Sequence, residues 1–90
     1  MRIVARSTLR AYWETHGRRD SETPLRAWFD IVSSARWRSH NDVKAVFGAS
    51  ADLAHGRTVF TIGGNKYRLI CRVDFVRYGV LILWIGTHSG

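Results

Sequence analysis

Lys66, Arg68 and Arg72 recur at intervals of two and four through the run Gly63-Gly64-Asn65-Lys66-Tyr67-Arg68-Leu69-Ile70-Cys71-Arg72, and Gly86-Thr87-His88 follows one strand later. Side chains of a strand alternate between faces, so Lys66, Arg68, Ile70 and Arg72 are expected on one face and Tyr67, Leu69, Cys71 and Val73 on the other. The first face suits a polyanion and the second suits a core. At about 3.3 Å per residue, Lys66 and Arg72 stand roughly 20 Å apart, enough to span several phosphates. RNA brings its own 2′-hydroxyl nucleophile, so metal-free cleavage needs a base, cations for the phosphorane charge and an acid for the leaving oxygen. His88 suits the acid or base role, because an imidazole with an ordinary pKa of about 6.5 changes charge near neutrality. Arg68 suits transition-state stabilisation, with Lys66 sharing that role and Arg72 holding an adjacent phosphate. Outward strand cations also serve simply to discourage edge pairing. Their placement with His88 favours a site, provided the strand starting at Lys66 and the strand over 80–85 are antiparallel neighbours.

A second basic segment, Arg36, Arg38 and His40, follows the second expected helix and is a candidate RNA-binding patch. Tyr78, near the last turn, is a candidate base-stacking residue. Tyr67 belongs by parity to the inner face and is expected to pack. Cys71 lies among apolar residues on that face and is expected to be a buried thiol. No cysteine pair or tight His/carboxylate cluster suggests a metal site, so no cofactor is expected.

Fourteen basic residues, twelve of them arginine, against seven acidic ones give a net charge of +7. That balance favours an acidic partner, and arginine's planar fork favours nucleic acid among such partners. There is no long apolar run for a membrane span and no secretory signal pattern, so a cytoplasmic location without membrane association is expected. Ninety residues are expected to form a single domain, 1–90.

The elements that must position these residues follow from periodicity. Residues 2–5 read as a short strand. Ser7 reads as the cap of a helix carrying Leu9, Tyr12, Trp13 and His16 and stopping near Gly17. Thr23 and Pro24 announce a second helix, with a stripe of Leu25, Trp28, Phe29, Val32 and Ala35. Asn41 caps a third helix with Val43, Val46 and Phe47, and Gly48 provides its exit. Residues 49–57 read as loop. A strand over 58–62, a turn at 63–65 and a strand over 66–73 form a hairpin. Residues 80–85 are apolar throughout, as in a strand covered on both faces or lying mid-sheet. Helices before strands indicate an α+β domain, with N-terminal helices packed on one face of an antiparallel sheet.

Several stretches together resemble the HigB toxins of bacterial type II toxin–antitoxin systems: Met1-Arg2-Ile3-Val4 with Leu9-Arg10-Ala11-Tyr12-Trp13, Pro24-Leu25-Arg26-Ala27-Trp28-Phe29, Trp37-Arg38-Ser39, Gly64-Asn65-Lys66-Tyr67-Arg68-Leu69 and Gly86-Thr87-His88. The resemblance implies a small RelE-like fold and an endoribonuclease (mRNA interferase) acting on mRNA, commonly at the translating ribosome, so inhibiting translation and growth. It also implies a HigA-type helix-turn-helix antitoxin, through which alone DNA would be contacted. Members of the family usually continue past Gly-Thr-His into a tail containing Tyr and Asp, whereas this sequence ends at Gly90, so a short or truncated tail is expected. The alternatives are a non-catalytic RNA- or ribosome-binding module and a chain serving mainly as the protein-interaction subunit of an antitoxin–repressor complex.

Overall fold

The inner face assigned by alternation to the strand after Lys66 is the floor of the core. In a computed structural model, which describes residues 1–15 and 17–87, Tyr67, Leu69 and Cys71 are buried while Arg68 and Ile70 are half-exposed and Arg72 is exposed. The strands are β1 Arg2–Val4, β2 Ala51–Ala54, β3 Arg57–Ile62, β4 Tyr67–Asp74 and β5 Gly79–Thr87. They form one sheet in the order β1-β5-β4-β3-β2. Every pairing is antiparallel except β1 with β5, so the sheet is mixed rather than wholly antiparallel. The chain enters on β1, makes its helices and returns through the whole sheet before β5 comes alongside, which allows that pair to run parallel.

Three helices, α1 Ser7–Trp13, α2 Glu22–Ser34 and α3 His40–Phe47, cover the inner face. The α2 stripe is as periodicity predicts: Leu25, Trp28 and Val32 are buried, with Phe29 and Ala35 packed beside them. Trp28 meets Phe60 edge-on at 5.4 Å between ring centroids, Phe47 meets Phe60 at 5.0 Å, and Tyr12 meets Tyr67 at 5.8 Å. Such pairs are worth about 0.5–1.5 kcal/mol each beyond the area they bury. The Met1 nitrogen donates to the carbonyls of Val32 (3.2 Å), Ser33 (3.3 Å) and Ala35, so β1 is tied to the end of α2 where carbonyls lack helical partners.

The helix ends differ from expectation. Helix α1 stops at Trp13, well short of Gly17, and His16 lies outside the described residues. A single 3₁₀ turn, Arg19–Ser21, leads directly into α2, so Ser21 and not Thr23 takes the cap position. The Ser21 hydroxyl donates back to the Arg18 carbonyl at 2.6 Å. Pro24 still falls within the first turn, where its missing N–H would have no helical partner. Ser39, not Asn41, precedes α3, and the Asp42 carboxylate accepts the Arg38 backbone N–H at 2.8 Å. Gly48 leaves α3 at φ +57°, as its position predicts, but Val46 is exposed rather than part of the stripe.

Residues 49–57 are not all loop, since β2 pairs with β3 from Ala51↔Phe60 to Ala54↔Arg57. His55 and Gly56, with φ of +53° and +75°, form the two-residue turn between them. Positive φ at both central positions matches the twist of a tight hairpin, but Ala-Asp-Leu-Ala has little strand propensity and His-Gly is a weak turn signal. No helix among the described residues is long and apolar enough to cross a membrane.

Candidate nucleic-acid interface

The outer face of the sheet carries the cations. β4 and β5 pair antiparallel, with Arg68 opposite Gly86 and Tyr67 opposite Thr87. The end of β5 therefore returns to the start of β4, the neighbour relation that the proposed site requires. His88 follows Thr87 in the sequence and lies outside the described residues. Arg72 shares the outer face with Arg68, four residues or about 13 Å along the strand, and is opposite Leu81.

Lys66 departs from the parity expectation. It belongs to the four-residue turn between Ile62 and Tyr67, not to β4, and its N–H donates to the Gly63 carbonyl at 3.3 Å. Gly63, Gly64 and Asn65 all have φ between +62° and +74°, a left-handed path that turns the following residue out of strand alternation. The Lys66 ammonium is paired with Asp20 of the 3₁₀ turn, on the helical side of the sheet. The other Asp20 oxygen accepts the Tyr67 hydroxyl, and the ammonium lies 5.7 Å from the Tyr67 ring centroid. Tyr67 is thus a packed ring with a polar tip. Hydrogen bonds from Lys66 and then Tyr67 hold the Asp20 carboxyl below its usual range. The same carboxylate pushes Lys66 and Tyr67 upward, so all three keep their ordinary charge states at neutral pH.

The second set of predicted residues lies at the other end of the sheet. Tyr78, at φ +56°, sits just before β5, and the eight residues of β4 put about 25 Å between that turn and Lys66. The Arg36 guanidinium lies 4.7 Å from the Tyr78 ring centroid, so the face that would stack on a base already carries a cation. Arg38 and His40 flank the start of α3. The Nδ1 atom of His40 is buried without a hydrogen-bond partner among the described residues. These four residues are not brought together with Arg68.

Sequence reasoning missed Trp84. Along β5 the pairing passes from Ile70↔Trp84 to Cys71↔Ile82, which leaves Leu83 as an extra residue. This bulge turns both Leu83 and Trp84 outward, and Trp84 is 41% exposed. The outer edge of its benzo ring lies over Gly86, where an added Cβ would collide with Cη2 and Cζ2 of the indole. A glycine inside a strand often marks such a close approach, and this was the available signal. Of the two readings of 80–85, a place in mid-sheet holds, since β5 lies between β1 and β4, while cover on both faces does not, since Leu81, Leu83 and Trp84 are exposed.

Cys71 is buried, and burial pushes its thiol pKa upward, as an inert core residue requires. Among the described residues no group of three or more His, Cys, Asp or Glu side chains is placed to hold a metal ion. An open groove of about 560 Å³ between α1 and α2, lined by Arg6, Leu9, Trp13, Arg26 and Phe29 among others, contains none of the predicted site residues. A site on a sheet face need not coincide with a groove between helices.

A model of the HigB toxin family, described as the RelE-like toxic component of a toxin–antitoxin system, matches residues 21–90. The chain belongs to this family. As a HigB-family toxin it has an antitoxin as its implied partner, and the RelE-like fold of the family agrees with the observed α+β architecture. The match begins at Ser21 and so includes the hairpin, Arg68, the bulge and Gly86-Thr87-His88. No curated protein matches the chain.

Proposed function

We propose that this HigB-family toxin is an mRNA endonuclease that acts on the translating ribosome in the cytoplasm and is neutralised by a HigA-type helix-turn-helix antitoxin. The observation that carries the reading is the Arg68↔Gly86 and Tyr67↔Thr87 pairing, which ends β5 beside the cationic strand one residue before His88. An RNA strand crosses the outer face with its scissile phosphate at Arg68 and a neighbouring phosphate at Arg72. His88 serves as a proton-transfer group. The 2′-oxygen loses its proton and bonds to phosphorus, the P–O5′ bond breaks, and a proton is delivered to the 5′-oxygen. The products are a 2′,3′-cyclic phosphate and a 5′-hydroxyl. Arg68 stabilises the charge that builds on the non-bridging oxygens, where it is worth more than on the ground-state phosphodiester. Lys66, kept charged by Asp20, supports this end by exchanging that carboxylate for phosphate. Arg36, Arg38, His40 and Tyr78 contact RNA at a separate position about a strand length away, which suits a ribosome-sized partner better than a short oligonucleotide.

The test is primer extension on a translated message after brief expression of the chain. Discrete new 5′ ends that depend on translation are expected. Arg68→Ala should reduce their rate of appearance by about 10²–10³-fold and His88→Ala by about 10²–10⁴-fold. Cleavage at the parental rate by the folded double variant would overturn the assignment. Salt-dependent ribosome binding without any cleaved product would favour a non-catalytic binding module.

A further inference from the structure

We infer that Trp84 is a nucleobase-stacking platform beside Arg68 on the outer face of the sheet. The inference rests on the RNA reading above and adds to it a base subsite.

Three observations converge on this residue. The Leu83 bulge removes Trp84 from the core, where unbroken alternation from Val80 and Ile82 would have put it, and turns it outward opposite Ile70. A large aromatic ring placed on a bare sheet face loses the stabilisation that burial would have supplied, and bulges that re-aim a side chain cluster near functional sites. The indole then extends over Gly86, the cross-strand partner of Arg68. With no side chain at position 86, nothing on β5 separates the ring from the position of Arg68. Arg72 extends the positive charge along the same face.

A ring with open surface next to cations spaced along an extended strand matches single-stranded nucleic acid: bases stack on the ring while phosphates meet the guanidinium groups. The surroundings favour this occupant over a protein segment. Leu81 and Leu83, exposed on the same face, would suit apolar anchors, but a docked segment would also take the guanidinium groups of Arg68 and Arg72 out of water, and desolvating charge is costly. A phosphodiester chain supplies counter-charge with the base. Every base has a π-face, so the platform is expected to be tolerant of sequence and to position the strand without choosing the cleavage site.

The probe is a single-stranded 2′-O-methyl oligoadenylate, which lacks the free hydroxyl needed for cleavage and so reports binding alone. Titrated at low salt into the full chain, it should quench tryptophan fluorescence. Trp84→Leu should abolish the Trp84-dependent part of that quench and weaken binding by about 10- to 100-fold, within the range for loss of one base–aromatic stack. Gly86→Ala is the second variant: it keeps the indole but displaces it from Gly86, and should weaken binding while Trp84→Phe preserves most of it. Circular dichroism and thermal melting establish that each variant is folded.

Parental affinity and quench in folded Trp84→Leu would overturn the inference, even if the parent protein cleaves mRNA. Failure of the parent protein to bind the probe at low salt would overturn it too. Trp84-dependent binding by a chain that never cleaves a translated message would leave the platform standing and remove the nuclease reading. Probe binding unaffected by Trp84→Leu, together with loss of co-purifying antitoxin in that variant, would assign the ring to a protein contact instead.

Discussion

The two faces of β4 and β5 are built by opposite rules. On the inner face Tyr67, Leu69, Cys71, Val80 and Ile82 are all buried against helices, and each is where a period of two puts it. On the outer face Arg68, Arg72, Leu81, Leu83 and Trp84 have no helix over them, and their arrangement depends on one extra residue in β5. The inner face is specified by the requirement to exclude water, which many sequences satisfy in the same way. The outer face has no such requirement, so a bulge there changes which groups meet without unfolding the domain. Stability and function are thus carried by opposite sides of the same two strands.

The largest expected effect comes from breaking the inner face. Phe60 is fully buried and meets both Trp28 and Phe47 edge-on, so Phe60→Ala removes an aromatic volume from the centre of the core. The cost should be about 3–5 kcal/mol, a large share of the total stability of a domain this size. In thermal melting that corresponds to a fall of at least about 12 °C or to loss of the folded state. A shift of only a few degrees would mean that the aromatic cluster is not the main stabilising contact between helices and sheet.

Asp20 joins the two regions, because it draws Lys66 from the turn to the helical side and also holds the Tyr67 hydroxyl. Its native carboxyl titrates below the ordinary 3.8. As pH falls past that value the unfolded chain takes up protons first, so the stabilisation is complete above about pH 4 and is lost as pH drops through the native value. Lys66 and Tyr67, both raised, act in the opposite window: their stabilisation is present below about pH 10 and is lost as pH rises through their native values. Asp20→Asn should therefore flatten both limbs of a plot of urea midpoint against pH. Some acid dependence should remain from Asp74, whose carboxyl is lowered chiefly by the backbone N–H groups of Arg77 and Val76. Identical acid and alkaline limbs in the variant would show that the Asp20 contacts do not persist in solution.

How much of this was legible in the sequence follows the same division. The α2 stripe, the β3–β4 hairpin and the buried Cys71 were readable because each obeys a strong period or a strong turn signal. Strand β2 was not, since it holds its place by hydrogen bonding to β3 and not by side chains that favour a strand. The displacement of Lys66 was hidden because parity was carried one residue too far into a turn of left-handed backbone. Trp84 was hidden because six apolar residues in succession, 80–85, give no sign of where alternation breaks. Gly86 hints at a close approach, and the ladder against β4 shows where the break falls. The neighbour relation of β4 and β5, which the sequence reading needed only as a condition of the site, is met, since a cationic strand and an apolar strand joined by a short turn have few other ways to pair.

The smallest expected effect on the fold, and the sharpest on the comparison, comes from Arg72→Ala. Arg72 is exposed on the outer face, and no ion pair or hydrogen bond of its side chain is seen among the described residues. Its loss should change stability by no more than about 0.5 kcal/mol, since it neither opens a cavity nor strands a buried partner. If the outer face tracks a phosphate backbone, the same substitution should lower the slope of log affinity against log salt by about 0.7, the value for one phosphate contact on a single strand. The ratio of affinities for different sequences should stay constant, because a phosphate contact holds the strand without reading it. Measured with the 2′-O-methyl probe, an unchanged slope would take Arg72 off the path of the RNA, and a matching loss of stability would mean that this face contributes to the fold after all.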